Sequence, residues 1–573
     1  MSTQSARADI DVFFDEAFNE RIGYFPQKLS LFGRSDRQDE LNDYSDAGEA
    51  GYARLARRHL QALGTFDEAG LSSAQRINYA LFKRDCEEIL ERFACRFQRY
   101  ALDQKFGLHA EFPAFMINMH RIATEADAAN YVARLTAFSE ACNQVMHSVA
   151  LRRDEGVLLP AFLTEQIIGD CQRVIADLRE PQSSMLGKDF QSKLSAANLA
   201  STSCRSLTAA CEQALAEQVR PAYLRLAAFM QTLLEEAPDQ GGACSLPDGQ
   251  AYYRACLRWE TSTDLDARQI HELGLREVAR IREEIQQLLP RVGFAGDVAA
   301  FFQHTRSHPD FYYPQTPEGR RAYLNDLEQV IERARLALPQ LFHVLPADPL
   351  QVRAVEPHRE HTAGMAFYHG PAADGSRPGT FYINLHDLEQ LPTFTMEALA
   401  FHEALPGHHM QFAIANRLDA LPLFRRYANY NAYVEGWGLY AERVAHEVGL
   451  YHDAYGEYGR LTMELKRACR LVVDPGLHAL GWTRQRAADY LYDNLPASRG
   501  QCLAEIDRYL VMPGQATTYT LGLLEILRLR EQAGATLGDR FDQPAFHDEL
   551  LSLGPLPLDV TAEQLRAWTR RQH

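Results

Sequence analysis

From residue 8 to residue 235, apolar side chains recur at three- and four-residue steps, and two-residue alternation is almost absent. That period confines the stretch to helices packed along apolar stripes. The clearest stripe starts at Tyr131 and continues through Val132, Leu135, Phe138, Cys142, Val145 and Val149. Residues 77–97 and 209–234 repeat the pattern. Residues 236–250, which include Pro238, Gly241, Gly242 and Pro247, read as a loop and as the best boundary in the chain. Residues 1–240 are therefore expected to be a helical scaffold. Residues 241–573 are expected to be a second helical part, in one continuous bilobed body around a deep cleft.

After that loop, Asp266 with Gln269 forms a capping pair, and Ile270, Leu273, Val278, Ile281, Ile285 and Leu288 make the stripe of a helix that Pro290 stops. A second helix covers residues 319–336, beyond an aromatic loop at 310–317. At about residue 351 the pattern changes. Residues 351–356, 364–369 and 380–385 read as strands around a Pro- and Gly-rich turn, a small β-hairpin or sheet. Helices then return over residues 430–448, 458–473, 484–494 and 500–510, and a last long one follows Pro513-Gly514. The expected class is mainly α, with that small sheet next to the active site.

Composition enters chiefly by exclusion. A net charge of −17 argues against a nucleic-acid partner, which requires basic surface. No run of about 18 apolar residues suggests a membrane span, and the first sixteen residues lack the segments of a signal peptide. Ten cysteines with no C-x-x-C pair suit free thiols in a reducing, cytoplasmic compartment.

The chemistry concentrates in His402-Glu403-Ala404-Leu405-Pro406-Gly407-His408-His409-Met410-Gln411. His-Glu also occurs at His271 and His446, where the position four residues on is Leu275 or Leu450. At His402 that position is Pro406, so the H-E-x-x-H zinc motif is interrupted. In a regular helix His402 and His408 would lie about 120° apart, and His402 and His409 about 10 Å apart along the axis. Pro406 and Gly407 change this, because they bulge the helix and can return a later histidine to the first. Glu435 and Glu442, seven residues apart and flanked by Gly436, Trp437, Gly438 and Tyr440, are the best source of a third ligand. Two histidines and a glutamate form a known hydrolytic zinc set, and Glu403 is placed to act as general base.

These stretches, with residues 370–379, the run Arg470 to Trp482, the run Pro513 to Tyr519, and Phe546-His547-Asp548, resemble the bacterial family labelled domain of unknown function 885. The likeness extends from about residue 50 onward, and that family resembles the helical gluzincin peptidases. The resemblance implies one zinc ion per chain on His402, His408 and Glu435, with His409 the rival of His408 and Glu403 the base. It further implies a tyrosine and a histidine at the oxyanion, for which Tyr519 and His478 are the candidates. Arg467, Asp474 and His478 fall on one helix face, where an arginine suits a substrate's terminal carboxylate. Arg467, Arg470 and Tyr382 are thus expected to bind substrate, and Glu442 and Asp474 to support the ligands. The alternative for Asp474 is a salt bridge with Arg470. A second metal site on His358 and His361 is the weaker alternative to a surface loop.

The expected protein is a zinc-dependent hydrolase of amide bonds in short peptides. Its alternatives are an amidase acting on a non-peptide metabolite, and a catalytically silent protein that binds peptide or metal. Glu403 speaks against the last, since a pure binding site needs no base.

Overall fold

The computed structural model describes residues 3–345, 348–355, 360, 364–371 and 377–573. His358 and His361 lie outside the described residues, as does most of the Gly- and Pro-rich turn after residue 371. The fold is mainly α with one small sheet. It divides into two compact units, one comprising Met1–Gly241, Leu246–Asp248 and Pro422–Phe424, the other Gly242–Ser245, Gly249–Leu421 and Arg425–His573.

The first unit is helical throughout its described residues. Its long helix Glu125–Asp154 starts at a capping box in which Thr124 and Asp127 satisfy each other's backbone N–H groups. Tyr131, Leu135, Phe138, Cys142 and Val145 of the expected stripe are buried, whereas Val132 is only half-buried. The expected run over 209–234 is broken into Ser201–Ala214, a π-turn at Leu215–Val219 and Arg220–Leu233.

In the second unit, Asp266 accepts from the N–H groups of Arg268 and Gln269, and the Gln269 side chain accepts from the Asp266 N–H. The helix Ala267–Leu288 buries Ile270, Val278, Ile281, Ile285 and Leu288 as the period requires. Leu273 is half-buried, and Gly274 takes the tight position instead: a Cβ there would stand 2.7 Å from the Leu471 Cβ.

Three strands follow, β1 (Leu350–Ala354), β2 (Ala366–His369) and β3 (Gly379–Ile383), in the order β1-β3-β2. β3 is central, antiparallel to β2 and parallel to β1. It is buried except at Tyr382.

The site is carried on α1 (Met396–Glu403), α2 (His408–Ala415), α3 (Asn431–Glu447), α4 (Ala454–His478) and α5 (Thr518–Leu537). α1 packs against both α3 and α4, α3 against α5, and β2 touches α1. α4 starts earlier than its sequence suggests, at an Asp453 cap, and runs through Pro475 in its last turn. The expected single last helix is a correction. α5 ends at Leu537, where Gly538 turns the chain at φ +54°, and the helices Gln543–Ser552 and Leu558–Gln572 follow.

Candidate metal centre

The interrupted motif is a break between two helices. α1 closes at Glu403 and α2 opens at His408, with Ala404 (φ −104°, ψ −101°) and Gly407 (φ −78°, ψ −131°) making the turn. The His409 N–H reaches back to the Ala404 carbonyl at 3.2 Å. Only glycine fits at 407, since a Cβ would overlap the His402 carbonyl oxygen. Trp437 of α3 anchors the turn by donating its indole N–H to the carbonyls of Pro406 (3.1 Å) and Gly407 (3.3 Å). The Gly407 carbonyl also accepts from the Gln411 N–H at 3.2 Å, whereas Pro406 lies between the two helices, where a buried carbonyl left without a partner would be costly.

This turn brings His402, His408 and Glu435 together. Their nearest ligand atoms all lie within 4.8 Å of one another. Glu435 Oε2 is 3.5 Å from Nε2 of both His402 and His408. Ligand atoms about 2 Å from a tetrahedral zinc stand about 3.3–3.5 Å apart, and both Glu435–histidine separations match that spacing.

Burial alone lowers His402, but hydrogen bonding to Glu435 and Glu442 outweighs it and raises the imidazole to about 9. Burial alone would raise the Glu435 carboxyl, yet His402 and His408 hold it well below the usual carboxylate range. The two imidazoles thus share a carboxylate that stays ionised, the form a metal ligand needs.

Surrounding groups orient these ligands. Glu442 Oε1 stands 2.8 Å from His402 Nδ1, a carboxylate–histidine pair of the kind that fixes a ligand's tautomer. Gln411 Oε1 is 3.4 Å from His408 Nδ1. Gly436 and Gly438 do give close approach, each to something different. A Cβ on Gly436 would stand 2.5 Å from Gly522 Cα on α5, and one on Gly438 would stand 2.6 Å from His402 Cε1. The Tyr519 ring lies 6.4 Å from the His402 ring at 25°, and its hydroxyl bonds to no described residue. Glu403 is 9% exposed and likewise makes no hydrogen bond among the described residues.

His409 points elsewhere. Its Nδ1 meets the Tyr368 hydroxyl at 2.8 Å and its Nε2 the Asp348 carbonyl at 3.1 Å. Burial depresses it to about 4, so it is neutral and fully engaged.

Several expected residues need correction. His478 does not offer a free nitrogen to an oxyanion, because Nδ1 accepts from the Ala243 N–H (2.9 Å) and Nε2 faces the Tyr509 carbonyl (3.0 Å). Asp474 does not support a ligand. Its carboxylate accepts from the Tyr253 hydroxyl (2.6 Å) and the Gly514 N–H (3.1 Å), the latter at a turn whose φ of +86° calls for glycine. Nor does it pair with Arg470, which bonds Tyr509 (2.8 Å) and Glu505 (3.2 Å). Tyr382 sits in β3, stacked on Phe367 at 5.0 Å. Arg467 lies 4.0 Å from Glu442, beside the His402 pair. Trp437 and Gln411 are the positions that sequence reasoning missed in these roles, and only Trp437, among the glycines beside Glu435, gave a signal.

Asp474 has a measurable consequence. Burial, outweighing its two hydrogen bonds, raises the carboxyl to about 7, against about 3.9 in an unfolded chain. The folded chain therefore binds the extra proton, and stability falls as pH rises from about 4 to about 7, by at most about 1.4 kcal/mol per unit. Asp474→Asn can still accept both hydrogen bonds and should flatten that slope in urea unfolding at pH 5 and pH 8. Parallel pH dependence in the two proteins would refute the assignment.

Among the described residues, no helix is long and apolar enough to cross a membrane, and no disulfide joins any of the ten cysteines. The chain is similar over its whole length to a solved structure described as a putative lipoprotein from Colwellia psychrerythraea, with 29% identity, TM-score 0.92 and 99% of each chain covered. It also shares its fold with a putative lipoprotein of unknown function from Shewanella oneidensis, at 17% identity and TM-score 0.74, covering 97% of this chain and 99% of that one. No curated protein matches it. The family model for bacterial proteins of unknown function, DUF885, matches residues 26–565. The chain is thus a member of the DUF885 family.

Proposed function

We propose that this protein is a zinc-dependent hydrolase that cleaves amide bonds of short peptides in a deep helical cleft. The observation that carries the reading is the convergence of His402, His408 and Glu435 beside a buried Glu403 that has no hydrogen-bond partner among the described residues. The likeness to helical gluzincin peptidases is part of the proposal, and the order of ligands and base along the chain supports it.

A zinc ion on these ligands would supply Lewis acidity and lower the pKa of a water to about 7. The chain's own groups do the rest. Glu442 and Gln411 hold the two imidazoles with Nε2 turned toward Glu435. Glu403 takes the proton of the attacking water and passes it to the leaving amine. The Tyr519 hydroxyl, which bonds to no other described residue, donates to the carbonyl oxygen as charge develops on it. β2 is an outer strand touching α1, and its edge suits backbone pairing with an extended peptide. Burial of the cluster favours slender oligopeptides over folded proteins. A cytoplasmic location belongs to the same proposal, supported by ten cysteines without a disulfide.

The test compares wild type with Glu403→Gln in metal analysis and in a mixed-peptide digest. Both proteins should carry one zinc per chain, while cleavage falls by about 10²–10⁴-fold in the variant. Stoichiometric zinc in a wild-type protein that cleaves no amide would refute the peptidase reading.

A further inference from the structure

The buried arginines of α4 are not treated alike. Arg460 bonds Glu464 at 2.7 Å, and Arg470 bonds Glu505 at 3.2 Å. Arg467 is just as buried, 7% exposed, and among the described residues has no carboxylate within hydrogen-bond distance. Its Nη1 is spent on the carbonyl and sulfur of Met463, both at 3.1 Å. Its Nε is buried without a partner among the described residues, as is that of Arg460, so the difference lies in the distance to a carboxylate. Its Nη2 has only Glu442 Oε1, at 4.0 Å, an oxygen already engaged by His402 Nδ1 at 2.8 Å. Arg470 adds a second orphan, Nη1, on the neighbouring turn. The Tyr519 ring lies beside both guanidinium groups, 5.7 Å from Arg467 and 4.6 Å from Arg470.

A buried charge with only a distant, shared counter-charge is costly, so the Arg467 guanidinium, whose nearest carboxylate stands 4.0 Å away and is already bonded to His402, is suited to a closer anion. We infer that Arg467, assisted by Arg470, receives the C-terminal carboxylate of a short peptide; this rests on the peptidase reading above and names its substrate class. A planar carboxylate matches the guanidinium fork. Through the shared Glu442 oxygen, Arg467 lies within about 7 Å of the His402 ring, the span of about two extended residues. The cleaved bond therefore falls one or two residues from the free C-terminus. A peptide's N-terminal ammonium is excluded from the same place by like charge.

The test measures binding, so it does not depend on turnover. Three probes are titrated calorimetrically into the full chain, as purified and after chelation: Gly-Ala-Phe, its C-terminal amide, and the amide of Gly-Ala-Glu. Wild type should bind the free acid about tenfold or more tightly than either amide. Arg467→Gln should bring the free acid within about twofold of its amide. Arg467→Lys, which keeps the charge but loses the fork, should retain only part of the preference and decides the matter if the glutamine variant fails to fold. Equal binding of acid and amide by wild type, binding of neither, or an undiminished preference in Arg467→Lys would overturn the inference. Tight binding of the Gly-Ala-Glu amide would overturn it in favour of a side-chain carboxylate. A retained acid preference in a protein that cleaves no peptide would count against the peptidase reading alone.

Discussion

Replacing His408 by alanine should abolish stoichiometric zinc binding, whereas replacing His409 should leave it within a few-fold of wild type. The two imidazoles are neighbours in sequence, yet only His408 Nε2 reaches Glu435, at 3.5 Å. His409 is committed to Tyr368 and the Asp348 carbonyl. Loss of a residue that merely orients a metal ligand costs about 10–100-fold in affinity, so loss of the ligand itself should cost at least about 100-fold. His409→Ala removes a partner from two polar groups and should cost about 1–3 kcal/mol of stability without moving the metal constant. Zinc titration against a chromophoric chelator reads the first effect, and urea unfolding reads the second. A variant pair with the opposite pattern would assign the ligand to His409.

The second large effect is expected at Gly438. An alanine Cβ there would stand 2.6 Å from His402 Cε1 and 2.8 Å from Nε2, closer than packed atoms come. His402 has little room to retreat, since it is 2% exposed and held between Glu442 and the Tyr519 ring. Gly438→Ala should therefore displace the imidazole and lower zinc affinity by about 100-fold or more. Overpacking should cost about 1–3 kcal/mol of stability as well. Gly436→Ala is the contrasting case. Its Cβ meets the Gly522 backbone on α5, so it should destabilise the helix pair while any chain that still folds keeps its zinc. Unchanged zinc affinity in Gly438→Ala would mean that the ring is not confined as described.

The helical class was legible because one period runs through most of the chain, and helix starts with capping residues, such as Asp266, were legible for the same local reason. His402, Glu403 and Glu435 could be picked out because each stands on a helix whose neighbours are apolar or glycine. The choice between His408 and His409 was not legible. It turns on how Ala404–Gly407 folds, and a tryptophan some thirty residues away holds that turn. His478 misled because a histidine on an apolar helix face looks the same whether it meets a substrate or two distant backbone groups. Arg470 and Asp474 invited pairing at i, i+4 spacing. Glu505, Tyr253 and Gly514 outcompete that pairing from other segments. Such outcomes depend on contacts between segments far apart in sequence, which periodicity does not encode.

The most direct test is diffraction from zinc-soaked crystals of the full chain, recorded on both sides of the zinc absorption edge. One anomalous peak bounded by His402 Nε2, His408 Nε2 and Glu435 Oε2 is the expected result. A peak on His409, or no peak among these three side chains, would contradict the metal centre described here.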